Sequence, residues 1–353
     1  MSRYLSQRLE ALAPYVPGEQ PQDKKYIKLN TNESPYPPAE RVLAAAKADA
    51  ARCNLYSDPE CKVLTDALAA RYGVEAENVL ATNGSDEILN FAFMAFCDEN
   101  TPIAFPDITY GFYSVFGDLY HIPCRVIPLD ADLAIRVEDY ENCGSNVVIA
   151  NPNAPTGRYL PLDAVERIVS TNPGHVVIVD EAYIDFGGET AVPLIKKYNN
   201  LLVTGTFSKS RSLAGARVGF GIGDKALIDD LKRVKFSTNP YNVNRMSAAA
   251  ATAALEEDAL YMARCAEIAR TRTYVTASLE ALGFEVIPSL ANFIFAKSDR
   301  IDGETLYRKL KAGGILVRHF AKERIAAYNR ITVGTKEQMD AFLSAVKEIL
   351  SET

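Results

Sequence analysis

Seven short, mostly apolar runs constrain the fold of this chain more than any other feature. They fall at residues 79–82, 103–105, 125–127, 147–150, 176–179, 201–203 and 218–220, with helical periodicity between them at 85–96, 110–120 and 162–171. An apolar run of three or four residues without alternation belongs to a strand buried on both faces. Such strands joined by helices imply an α/β fold with a mostly parallel, seven-stranded sheet between helices. Ligands of these sheets bind outside the carboxyl ends of the strands, so the residues just after each run are the candidate site.

The flanking segments read differently. Residues 3–12 suggest a short helix, followed by an extended arm with prolines at 14, 17, 21, 35, 37 and 38. Helical patterns follow at 39–53 and 60–72, the second ended by Gly73. Beyond residue 236 come helices at 245–255 and 258–282, strands at 285–287, 293–295, 315–317 and 330–333, and helices at 304–312 and from 336. This gives an N-terminal helix and arm (1–38), a large domain (39–255) and a smaller C-terminal α/β domain (256–353) with a hairpin-like sheet. No linker marks the second boundary.

Composition narrows the function. The net charge of −7 argues against a nucleic-acid binder, so an anionic ligand must be met by locally clustered cations. Six scattered cysteines with no CxxC suit free thiols in a reducing compartment, and three histidines leave few ligands for a metal, so none is expected. No apolar run approaches the roughly 20 residues of a membrane span and the first residues are polar, which points to a cytoplasmic protein.

The densest chemistry lies at 203–217, where the run Leu201-Leu202-Val203 gives way to hydroxyls, glycines and the cations Lys209, Arg211 and Arg217. A lysine at the end of a buried strand is costly unless something holds it. Four apolar residues likewise lead into Asp180 and Glu181, followed by Tyr183. This pattern also suits a magnesium site of the kind that accompanies a phosphate loop, but the chain contains no GxxxxGK[ST]. Gly219, Gly221 and Gly223 resemble part of a dinucleotide fingerprint yet come late in the sheet. At a strand-to-helix junction, Asn83-Gly84-Ser85-Asp86 offers free amides to an anion, or is merely an unliganded cap. Tyr110 can stack on a planar ring or pack internally. The turn Asn151-Pro152-Asn153-Ala154-Pro155-Thr156-Gly157 is rigid, and its asparagine amides can reach a ring hydroxyl or serve the turn alone.

Together these residues describe pyridoxal phosphate: an imine to Lys209, an acidic partner for the ring nitrogen in Asp180, Tyr183 or an asparagine for the ring hydroxyl, and Ser208, Arg217 and the Gly84 junction for the phosphate.

The ordered segments PNAPTG, VDEAY, SKSRSLAGAR and RITVG resemble, nearly end to end, the aspartate-aminotransferase superfamily of fold type I pyridoxal-phosphate enzymes. Within its class-II-like branch, Leu29-Asn30-Thr31-Asn32-Glu33, Tyr56 before Asp58-Pro59, Thr109-Tyr110-Gly111 and Ala214-Gly215-Ala216-Arg217 are similar to enzymes that form histidinol phosphate. The resemblance implies a homodimeric transaminase working by a ping-pong exchange between L-glutamate and imidazole acetol phosphate. The neighbouring activities in the branch are aromatic amino-acid transamination and threonine-phosphate decarboxylation. It also implies roles. Lys209 carries the cofactor, Asp180 pairs with the ring nitrogen, Tyr183 bonds the ring hydroxyl and Tyr110 stacks on the ring. Gly84, Ser85, Asp86, Ser208 and Arg217 hold the phosphate, with Tyr56 reaching it from the partner subunit. Tyr15, Asn32, Arg318 and Arg330 line the substrate site, the arginine forks suiting a carboxylate or phosphate. One departure stands out: the superfamily's asparagine before Pro-Thr-Gly is Ala154 here, so Asn153 or Asn151 reaches the ring hydroxyl, or Tyr183 serves alone.

Overall fold

The seven apolar runs do form one sheet. In the computed structural model, which describes residues 2–10 and 12–352, a short strand β1 (Ile27–Lys28) precedes helices α1 (Glu40–Ala50) and α2 (Lys62–Tyr72). There follow β2 (Val79–Thr82), α3 (Ser85–Phe96), β3 (Ile103–Pro106), α4 (Phe112–Tyr120), β4 (Cys124–Ile127) and β5 (Asn146–Ala150). Then come α5 (Leu162–Thr171), β6 (Val177–Asp180), β7 (Leu201–Thr206) and β8 (Gly219–Gly223). The spatial order is β2-β8-β7-β6-β5-β3-β4. Only β8 runs against its neighbours, β2 and β7. The carboxyl ends of the other six strands therefore share one edge with the amino end of β8.

Side chains alternate across a strand, and the core divides by that parity. Val147, Ile149, Val177, Val179, Leu201 and Val203 pack with Leu64 and Leu68 of α2 and Ile168 of α5. Val148, Ala150, Ile178 and Leu202 face the other way, onto Ile88 and Phe93 of α3 and Phe116 of α4. Asp180 continues the parity of Ile178, which directs its carboxylate towards the α4 side.

After β8 the chain forms α6 (Lys225–Thr238), α7 (Arg245–Glu256), α8 (Asp258–Ala281), β9 (Phe284–Ile287), β10 (Phe293–Ser298) and α9 (Gly303–Ala312). It ends with β11 (Ile315–Leu316), β12 (Arg318–His319), β13 (Asn329–Thr332) and α10 (Lys336–Ser351). Strands β12-β13-β10-β9 make an antiparallel sheet whose core joins Ile294, Ile331, Phe342 and Val346. No helix among the described residues is long and apolar enough to cross a membrane.

Four local expectations change. The helix expected at 3–12 is a single 3-10 turn, Gln7–Leu9, without a side-chain cap; residue 11 lies outside the described residues. So short a segment gains too little to hold an α-helix. The run 315–317 is split: Ile315 and Leu316 pair with β1 of the arm, whereas Arg318 and His319 pair with β13. Strand β1 itself has no sequence signal beyond two residues, because its partner lies far along the chain. Helix α6 was missed, although Asp224 caps it through the Ala226 amide and Ile228 and Leu231 are buried at helical spacing.

Leu202 is fully buried in the central strand β7. Leu202→Ala should lower stability by about 2–5 kcal/mol, read as a drop in unfolding midpoint with no new cofactor phenotype at permissive temperature; an unchanged midpoint would contradict this packing.

Candidate active site

The shared strand edge gathers most of the expected residues. Lys209 follows β7 in a loop anchored by the buried Phe207, whose amide bonds Val218 and whose carbonyl accepts from Leu213. The Lys209 amine donates to the carbonyl of Thr31 at 3.2 Å and lies 6.0 Å from the centre of the Tyr183 ring. Burial disfavours the ammonium, and the nearby Arg330 guanidinium adds to this, so the amine is pushed down to about 8. An amine that is partly neutral near pH 7 can act as a nucleophile or a base.

Asp180 ends β6, opposite Thr204 of β7. Tyr113 donates to its Oδ2 at 2.9 Å and Thr204 to its Oδ1 at 3.2 Å. No cation pairs with it among the described residues, and burial pushes its pKa up to about 6. A carboxylate left in this state favours a cationic N–H donor as its missing partner. Tyr183, three residues on, accepts from the Asn32 amide at 3.0 Å. Asn32 is itself locked, with φ at 57°: its backbone amide donates to the Thr332 hydroxyl, which in turn donates to the Asn32 side-chain oxygen. Because Asn32 donates, the Tyr183 hydroxyl keeps its own hydrogen for a ligand oxygen.

The neighbouring corner is built for an anion. Helix α3 begins at Ser85 with no side-chain cap on its first amides, and Gly84 precedes it at φ 80°. A Cβ at Gly84 would strike the Arg217 guanidinium, and one at Gly219 would fall on the Gly84 and Ser85 backbone. Arg217 donates to Ser208 Oγ at 3.3 Å and to Asp86 Oδ2 at 2.9 Å, while Tyr110 donates to the other Asp86 oxygen at 2.6 Å. The reversal of β8 is what returns Arg217 to this edge beside Ser208.

A second pair of cations closes the opposite side. Arg330 donates to the Asn30 carbonyl at 3.1 Å, lies over the rings of Phe293 and Phe320, and has a buried Nε with no partner. Burial depresses its pKa, as expected for a guanidinium without an anion. Arg318, opposite it in the β12–β13 pair, bonds the Val16 and Pro17 carbonyls at 3.3 Å and so holds the arm. Tyr15 of that arm stacks on Phe112 at 4.4 Å and stands 6.0 Å from Tyr110; burial raises its pKa against the opposing pull of Arg330 and Arg318.

Three residues weighed for the cofactor stand apart. Asn153 donates both of its amide hydrogens, to the Ile108 carbonyl and the Thr156 hydroxyl, and accepts from Thr109; Asn151 donates one to the Leu160 carbonyl and accepts from the Leu160 amide. Tyr56 is 79% exposed and stacks on Tyr241 at 4.5 Å, outside the Lys209 cluster. Sequence reasoning did not single out Tyr113, Thr204 or Thr31. Tyr113 is one helical turn beyond Tyr110, and Thr204 shares the parity of Asp180; both signals were present. Glu181, the other half of the acidic pair, turns away: it accepts from the Ala191 amide at 2.6 Å and the Thr190 hydroxyl at 2.5 Å. The groups present fit pyridoxal phosphate: an activated amine, a buried carboxylate lacking a cation, a hydroxyl donor and an anion corner that admits no Cβ.

This chain belongs to the aminotransferase class I and II family, whose model matches residues 24–346. It is 50% identical to histidinol-phosphate aminotransferase 2 of Dechloromonas aromatica over 354 residues, 99% of each chain. It is also 50% identical to histidinol-phosphate aminotransferase 1 of Hydrogenovibrio crunogenus over 351 residues, again 99% of each. The fold matches that of histidinol-phosphate aminotransferase from Sinorhizobium meliloti, solved with pyridoxal-5′-phosphate, with a TM-score of 0.90 at 23% identity over 100% of this chain and 99% of that one. L-threonine-O-3-phosphate decarboxylase from Porphyromonas gingivalis shares the fold too, with a TM-score of 0.81 at 22% identity over 92% of this chain and 99% of that one.

In cofactor-free protein, the rate at which Lys209 forms an imine with an added aldehyde should rise through a midpoint near pH 8. The ammonium is the unreactive form, and burial lowers the pH at which it is lost. A profile centred near the ordinary lysine value of 10.5 would contradict the environment described here.

Proposed function

We propose that this chain transfers the amino group of L-glutamate to imidazole acetol phosphate, giving L-histidinol phosphate and 2-oxoglutarate in histidine biosynthesis. One observation carries the reading: in a chain half identical along its whole length to enzymes named for that reaction, an activated lysine and a cation-free carboxylate share a site with an arginine that has no anion.

Pyridoxal phosphate, when bound, supplies an aldehyde that takes up the amino group and a ring that accepts the electron pair released at the substrate's Cα. Lys209 would hold its aldehyde carbon. Asp180 would keep a proton on its ring nitrogen, since a carboxylate in so dry a setting gains most from a cationic partner. Tyr183 would donate to the ring hydroxyl oxygen, its hydrogen left available by Asn32; with the Asn153 amide committed elsewhere, Tyr183 is the group best placed to serve alone. Tyr110 would face the ring. Ser85 and Asp86 offer the first amides of α3, and Gly84, Ser208 and Arg217 complete the phosphate corner. Tyr56 is proposed to reach the phosphate of a partner subunit in a homodimer, which accounts for its exposure on the chain that bears it.

Lys209 then moves the proton. Its side chain is a base whose pKa, pushed down to about 8, lies near neutral pH, where proton transfer in both directions is efficient. With the cofactor bound, it would take the proton from the substrate's Cα and return it to the carbon of the original aldehyde. Arg330 and Arg318 receive the carboxylate of glutamate and, in the second half, the phosphate of the acceptor, with Tyr15 closing over the site. Using one pair of forks for both partners requires the first product to leave before the second substrate enters, hence a ping-pong order. The residues that hold the cofactor fall in the proposed large domain, 39–255, and the arginines in the proposed small domain, 256–353. A reducing cytoplasm suits six free cysteines.

Lys209→Ala should lose the imine absorbance band and lower turnover by about 10³-fold or more, as removal of a base that is also the covalent anchor implies. In single half-reactions the wild type should convert its cofactor fastest with histidinol phosphate. Faster conversion by phenylalanine would replace this reading with aromatic transamination, and full activity of Lys209→Ala would end it.

A further inference from the structure

We infer that Asp107 is a positioning residue that fastens the hairpin carrying Arg318 and Arg330 to the loop carrying Tyr110. The functional meaning rests on the assignment above of the two arginines to the substrate and of Tyr110 to the cofactor ring.

Arg318 and Arg330 stand opposite each other in the β12–β13 pair. The chain between them leaves the small sheet and reaches across to the edge of the large one. There Arg324 Nη1 donates to Asp107 Oδ2 at 2.6 Å, and its Nη2 donates to the carbonyls of Leu129 and Asp130 at 3.0 and 3.1 Å. Lys322 donates to the Asp107 carbonyl. The other carboxylate oxygen of Asp107 accepts from the Leu129 amide at 2.9 Å, and the Asp107 amide donates to Ile127 at 2.9 Å. Every polar atom of Asp107 is therefore engaged, two of them by the hairpin.

The clasp rests on a dry floor. Ile325, from the hairpin tip, is buried with Ile108, Leu129, Phe295 and Tyr328 in one apolar cluster. The Asp107 side chain is only 15% exposed, so water and salt screen its bond to Arg324 less than at an open surface.

Tyr110 is three residues beyond Asp107, and the loop between has just one other side-chain anchor described above: Asn153, holding Ile108 and Thr109 from the end of β5. One anchor belongs to the rigid sheet. The other belongs to the hairpin that meets the substrate. An anion drawn between Arg318 and Arg330 loads that hairpin, and through Arg324 and Asp107 the load reaches the loop that sets Tyr110 against the ring. Asp107 thus acts through Tyr110 rather than on the substrate.

The test uses holoenzyme of wild type, Arg324→Gln, Arg324→Lys and Asp107→Asn. Visible circular dichroism of the bound cofactor, without substrate, reads how the ring is held. Arg324→Gln and Asp107→Asn should alter that band and speed amide hydrogen exchange at 107–112, while Arg324→Lys should restore part of both. In kinetics with histidinol phosphate, Arg324→Gln should lower kcat/KM about tenfold, the size expected for losing a charge-assisted hydrogen bond. In a Tyr110→Ala background the same change should cost less than about twofold, because coupled residues are not additive. Equal losses in both backgrounds, or a dichroism band unchanged by Arg324→Gln, would overturn the proposal. A wild type that fails to turn over histidinol phosphate would refute the substrate assignment alone; the dichroism and exchange changes would still appear if the clasp exists.

Discussion

Two opposite charges sit at adjacent strand ends of this protein without neutralising each other, and much of the site follows from keeping them apart. Asp180 is satisfied by hydroxyls, from Tyr113 and Thr204, and Lys209 by a backbone carbonyl, from Thr31. Pairing the two directly would offset part of their desolvation cost but leave neither free for chemistry. The hydroxyls and the carbonyl offset burial only in part, so burial still draws the carboxylate upward in pKa, against the pull of the two hydroxyls, and the amine downward. A ligand that brings a cationic N–H to one and an electrophilic carbon to the other completes both environments at once. The parallel sheet makes this possible, because it delivers side chains from neighbouring strands to one edge while the helices keep water from the strands themselves.

The sequence carried the sheet and the residues attached to it. Strand runs, the carboxylate and tyrosine after β6, and the hydroxyl-rich turn after β7 are local patterns, and locality is what a single chain displays. What was hidden depends on contacts across long separations. The carbonyl that meets Lys209 is 178 residues upstream, and Asn32 reaches Tyr183 across 151 residues. Strand β1 exists only because β11 is there to receive it. The asparagine turn was ambiguous for the opposite reason: its amides suited either a ligand or the turn itself, and the local geometry uses them to pin the turn and the neighbouring loop. Glu181 shows how parity separates two adjacent carboxylates that composition alone treats alike.

The fold by itself does not choose the reaction. L-threonine-O-3-phosphate decarboxylase from Porphyromonas gingivalis shares it too. What differs between such enzymes must lie in the groups that meet the far end of the substrate. The groups proposed for that task here, Arg318, Arg330 and Tyr15, come from the arm and the second sheet rather than from the sheet that carries Lys209 and Asp180. Arg330 is the most telling of them, since a buried guanidinium with an unpartnered Nε is costly unless an anion arrives.

The β12–β13 hairpin bears on how such enzymes diverge. Because both arginines ride on one continuous stretch of chain, the substrate preference proposed for them would be portable: exchange of that stretch would alter what is recognised while leaving the amine, the carboxylate and the anion corner untouched. The tip of the same stretch, however, grips a residue more than two hundred positions upstream. A transplanted hairpin whose tip does not match Asp107 would arrive with the right forks and no grip. Inheritance of specificity in this architecture is therefore a two-part affair, and the second part is written far from the first.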